Sequence, residues 1–132
     1  MKILVTVFLL LFLSSHSTAD DDMGRETAMS WLSLIDNGGY LESWEQAGAY
    51  FQQEVPSEQW QEAVSEVRDQ LGSVISRQQV ESKVYQSLPG APEGEYLVLR
   101  FSTRFTHQAE AIETLTLQSV DGDWKVLGYF VR

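Results

Sequence analysis

At Gly72-Ser73 the spacing of apolar residues changes period, and that change excludes most fold classes for this chain. Before it, apolar side chains recur at the i, i+3, i+4, i+7 spacing of one helix face; after it they tend to alternate, as in a half-buried strand. Ala28, Trp31, Leu32 and Ile35 form a first helical stripe, past an acidic linker Asp20-Asp21-Asp22, and Asp36-Asn37-Gly38-Gly39 ends it. A second helix is predicted from about Leu41 on Trp44, Ala47, Gly48 and Phe51, with Gly48 suggesting a close helix crossing. A third opens at Pro56-Ser57, Ser57 capping its free amides, and carries Trp60, Ala63, Val64, Val67 and Leu71 as its buried stripe before Gly72 closes it.

Beyond Gly72 the alternation is imperfect from Ser73 to Ser87, with Val80, Ser82 and Val84 able to face one way. A loop follows in Leu88-Pro89-Gly90-Ala91-Pro92-Glu93-Gly94. Tyr96 to Phe105, Ala109 to Val120 and Trp124 to Val131 read as strands, the last two joined by the tight hairpin signal Asp121-Gly122. Helices first and an antiparallel meander afterwards give an α+β class, three N-terminal helices packed on one face of the sheet. No glycine-rich phosphate loop is present, so a dinucleotide-binding fold is not supported.

Met1 to Ala19 stands outside that pattern. Lys2 is a positive start, Ile3 to Leu13 is an apolar run interrupted only by Thr6, and Ser17-Thr18-Ala19 supplies small residues for cleavage. The run is shorter than the roughly 20 apolar residues of a membrane span. The expectation is a signal peptide over 1–19 and a single mature domain over 20–132, located in the periplasm or secreted. The mature chain has 8 basic and 19 acidic residues, a formal charge of −11. Such a surface disfavours nucleic acid and anionic lipid, and without cysteine there is neither a disulfide nor a lipid attachment site. No stable membrane anchor is expected after cleavage.

With the elements placed, an ordered set of short motifs becomes recognisable. It comprises Trp31-Leu32-Ser33-Leu34-Ile35-Asp36, Gly39-Tyr40, Ser43-Trp44, Trp60, Arg68, Leu71-Gly72, Arg77, Leu88-Pro89-Gly90, Gly94-Glu95-Tyr96, Glu113-Thr114 and the ending from Asp121 to Phe130. In this the chain, from about Ala28 to Val131, resembles the bacterial domain of unknown function 4019 family of small secreted proteins. Asp69-Gln70 departs from the pattern. The element order is also similar to that of the nuclear transport factor 2-like superfamily, which implies a cystatin-like cone, a curved sheet wrapping a cavity beside the helices. The resemblance implies no activity.

Strand parity identifies polar groups that could enter such a cavity. Ala111, Glu113, Leu115 and Leu117 share a face, so the Glu113 carboxylate must find a partner or take up a proton. Arg100, on the face opposite Leu97, Leu99, Phe101 and Phe105, and Arg77, where the sheet begins, are its two candidate partners. Arg77 with Glu113 would form a buried ion pair at the helix-to-sheet junction. Asp36 is expected to cap or hydrogen-bond the first turn, and Tyr40 to pack its ring. Tyr129 falls on the face opposite Trp124, Val126, Gly128 and Phe130. The four tryptophans read as core residues.

Only His107 remains as a mature imidazole, and no cysteine is present, so neither metal nor other cofactor is expected. The leading expectation is a noncatalytic accessory module binding a small molecule or an envelope protein. Two alternatives stand beside it: a small cofactor-free isomerase or hydrolase using Glu113, with Tyr129 or Arg77, and a structural homodimer closed through an apolar face.

Overall fold

The computed structural model describes residues 18–132, with side chains from Asp20 onward. The proposed export segment therefore lies outside the described residues except for the backbone of its last two positions. Helices α1 (Thr18–Asp36), α2 (Tyr40–Gln46), α3 (Ala49–Glu54) and α4 (Ser57–Leu71) precede strands β1 (Val74–Tyr85), β2 (Tyr96–Phe105), β3 (Gln108–Val120) and β4 (Asp123–Val131). The strands form one open antiparallel sheet in the order β1-β2-β3-β4. The fold is α+β.

Three helix details differ from the sequence expectation, each for a local reason. Asp20-Asp21-Asp22 is not a linker but part of the start of α1, where negative charge complements the helix dipole. The second helix is broken in two at Ala47-Gly48. There Gly48 is extended, its N–H donates to Val126 O at 2.7 Å, and an added Cβ would stand 3.3 Å from Lys125 Cβ. Gly48 thus marks a close approach to β4 rather than to another helix. Ser57 makes no capping hydrogen bond: Pro56 occupies the cap position, its ring-fixed φ of −59° leading the chain into α4.

The sheet's inner face carries most of the core. Leu97, Leu99, Phe101 and Phe105 of β2 meet Ala111, Leu115 and Leu117 of β3, all buried, as parity predicts. Against them lie Ala28, Trp31, Leu32 and Ile35 of α1, with Phe51, Trp60 and Val64. At about 25 cal/mol per Å² of apolar surface, removing these groups from water drives the fold. Trp31, Trp60 and Trp124 are buried and Trp44 is partly so; Ser43, fully buried, accepts from Trp31 Nε1 at its carbonyl and from Trp60 Nε1 at its hydroxyl. The stripe of α4 is narrower than its spacing suggests. Ala63 and Val67 are exposed, whereas Arg68 is 6% exposed.

Two bulges decide which strand residues face the core. Register slips between Gln79 and Glu81, so Val80 is exposed while Ser82 and Val84 oppose the buried Leu99 and Leu97. In β4, Val126 opposes Leu117 and Gly128 opposes Thr116, which leaves Leu127 as the extra residue. The insertion resets parity: Trp124 and Val126 are buried, and Tyr129, opposite Leu115, also faces inward while Phe130 is exposed. Simple alternation therefore misplaces Tyr129. At the hairpin Asp121 and Gly122 have φ of 51° and 87°, the left-handed pair that such two-residue turns require.

Candidate functional site

Strand parity puts Glu113 inside, and the fold surrounds it with donors. Thr103 on β2, Arg77 on β1 and Tyr129 on β4 reach it because Phe101 pairs with Glu113, Arg77 with Thr103 and Tyr129 with Leu115 across the sheet. Oε1 accepts from Arg77 Nε at 2.7 Å and Thr103 Oγ1 at 2.5 Å; Oε2 accepts from Arg77 Nη2 at 3.2 Å and from the Tyr129 hydroxyl. A carboxylate offers about four lone-pair directions, and here four donors fill them. Glu113 has no exposed surface.

Arg77 continues the network to the helices. Its Nη1 and Nη2 donate to Asp36 Oδ2 and Oδ1 at 2.7 and 2.9 Å, and Arg68 Nη2 donates to Asp36 Oδ1 at 2.7 Å. Two arginines and two carboxylates thus form a neutral chain from α4 through α1 to β1 and β3. Each Arg77–carboxylate contact is bidentate, the arrangement for which a planar guanidinium is suited. Arg68 also lies over the Phe105 ring, 5.1 Å from its centroid. Beside the network, Trp31 meets Tyr129 edge-on with centroids 5.6 Å apart.

The surroundings shift protonation in readable directions. Burial alone would raise the Asp36 pKa, but hydrogen bonds and charge from Arg77 and Arg68 outweigh it and hold the group below its ordinary value of 3.8. Burial would lower that of Arg77, and the two carboxylates more than reverse this. Tyr129 is pushed up by burial and then by the Glu113 carboxylate, so its hydroxyl stays protonated and donates. A depressed Asp36 pKa contributes stability above the unfolded-state value that is lost as pH falls through the folded value. Asp36→Asn should therefore cost about 1–3 kcal/mol at neutral pH and flatten the stability profile below about pH 4. Urea denaturation across that range tests both.

Several expected placements change. Arg100 does not reach Glu113: it opposes Thr114 on the outer face and pairs with exposed Glu81 at 3.2 Å. Asp36 does not cap its turn but binds two arginines from distant elements. Tyr40 packs its ring on the core as expected, but it makes no hydrogen bond to the network, and its carbonyl accepts from Ser43 Oγ at 2.6 Å. The residue pattern does not by itself mark Arg68 or Thr103 as site residues. Both carry a signal in hindsight, Arg68 by falling one turn after Val64 on the buried stripe and Thr103 by sharing the face of Phe101 and Phe105.

Two clefts border the network. Arg77 lines one of about 310 Å³ with Arg25, Met29 and Gln79, and Tyr129 lines an apolar groove of about 180 Å³ with Trp60, Val64 and Val67. Among the described residues no group of three or more His, Cys, Asp or Glu converges as a metal site, and no helix is long and apolar enough to cross a membrane.

The profile of the family described as "Protein of unknown function (DUF4019)" matches residues 27–129. The chain belongs to the DUF4019 family. The match runs from α1 to β4 and includes Asp36, Arg68, Arg77, Glu113 and Tyr129. A comparison with curated proteins finds no match.

Proposed function

We propose that this DUF4019 protein is a noncatalytic binding or accessory module, exported to the periplasm or beyond, on a cone-shaped fold of the nuclear transport factor 2-like kind. The observation that carries the noncatalytic reading is the saturation of Glu113. A general base needs a free lone pair aimed at a substrate proton, and all four here are engaged by Arg77, Thr103 and Tyr129. Helices first and an antiparallel sheet afterwards support the cone-shaped relationship. Export is supported by Lys2, the apolar run Ile3 to Leu13 and Ser17-Thr18-Ala19.

What such a module offers a partner is surface. Phe130 and Val67, 49% and 41% exposed, flank an apolar groove on an otherwise acidic molecule. The test combines amino-terminal sequencing of the natural product with photo-crosslinking in intact cells, the photoreactive residue replacing Phe130 or, as control, Glu81. A mature terminus at Asp20 and a discrete heavier species from position 130 alone are expected. An uncleaved chain contradicts export, and no adduct at position 130 contradicts the binding reading.

A further inference from the structure

We infer that the edge of β4, together with the groove against α4, takes up an extended partner segment of alternating apolar and basic residues as a fifth strand. This rests on the binding-module reading and names its mode.

Backbone geometry supplies the first half. Ile112 and Arg132 exchange both N–H···O bonds, so antiparallel alternation turns the backbone groups of Val131 and Tyr129 away from β3. Upstream, Gly48 closes the edge at Val126 O. Among the described residues nothing donates to or accepts from the outward groups of Tyr129 and Val131. From Val126 to Val131 the strand carries no charge, between Lys125 and Arg132. Soluble proteins protect an exposed edge with charge, proline or a bulge that twists it away; here the bulge comes early, at Leu127, and the stretch after it stays open.

Side chains supply the second half. The strand side of the groove is Tyr129, Phe130 and Val131, and the helix side is Trp60, Ala63, Val64 and Val67. Alternate residues of an added strand would project into this channel, as in other strand-addition complexes. Charge selects the occupant. Glu58, Glu62, Glu66 and Asp69 are exposed on α4, and its one basic residue, Arg68, is buried and bonded to Asp36. A second copy paired edge to edge would bring two such acidic helices together, whereas a basic segment meets complementary charge.

The probe is a blocked peptide of about six residues alternating lysine and valine, a typical strand length, titrated against the purified protein by fluorescence anisotropy. Saturable binding is expected, with protection of the Tyr129 and Val131 amides from hydrogen exchange. Methylating alternate peptide nitrogens, or the exposed-site double variant Glu62→Lys, Glu66→Lys, should each weaken binding by at least about tenfold, and a glutamate-valine peptide should bind the wild type at least as poorly. Equal binding of the two peptides, indifference to methylation, or a concentration-dependent dimer protecting the same amides would overturn the inference. If the peptide fails while Phe130 crosslinks persist in cells, the binding module stands and strand addition is wrong; loss of both removes the module reading.

Discussion

Replacing Arg77 with methionine is expected to destabilise the protein by about 3–5 kcal/mol, the scale for removing one member of a buried ion pair. Methionine retains much of the aliphatic stem, so lost packing is a minor part of the effect. What remains is electrostatic: Glu113, with no exposed surface, keeps only Thr103 and Tyr129 as donors, and Asp36 keeps only Arg68. Two carboxylates would then sit in one region with a single guanidinium. Urea unfolding followed by tryptophan fluorescence should show a lower midpoint with little change in slope, because the core contributed by Phe101, Leu115 and Leu32 is untouched.

The second large effect is expected at Glu113 itself. Glu113→Gln keeps the shape of the side chain but replaces one acceptor oxygen with an NH2 facing donors, either Arg77 Nε and Thr103 or Arg77 Nη2 and Tyr129. The loss should reach about 3 kcal/mol or more, since the guanidinium loses its second anion. This substitution separates a structural pin from a catalytic group. A general base exposed to substrate would leave folding nearly intact when made an amide, whereas a carboxylate bonded to three strands would not.

Sequence periodicity shows the parts of this fold that depend on neighbours along the chain. The stripe Ala28, Trp31, Leu32 and Ile35 follows from the helical repeat, the inward face of β2 and the placement of Glu113 beside Leu115 follow from strand alternation, and the structure agrees. Asp121-Gly122 announces its own turn for the same reason: both residues tolerate positive φ. Features set by contacts distant in sequence are hidden. The break at Gly48 exists because Val126, on the last strand, offers a carbonyl. Tyr129 turns inward because Leu127 is extra relative to β3, and an unpaired strand has no register from which to read a bulge. Asp36 looks like a turn residue until α4 and β1 bring Arg68 and Arg77 to it. Of the candidate network, then, the inward placement of Glu113 and its need for a partner are legible, while the choice of Arg77 over Arg100 requires the register.

The central claim is that Arg77 and Glu113 form one structural unit across the sheet, which Arg77 also ties to α1 through Asp36. A double-mutant cycle measures it most directly: unfolding free energies of the wild type, Arg77→Met, Glu113→Leu and the double variant. Because removing both partners leaves neither charge unpaired with the other, the double variant should be more stable than the sum of the two losses implies, by about 1.5–3 kcal/mol. Additivity within about 0.5 kcal/mol, with both single variants near wild-type stability, would contradict the account.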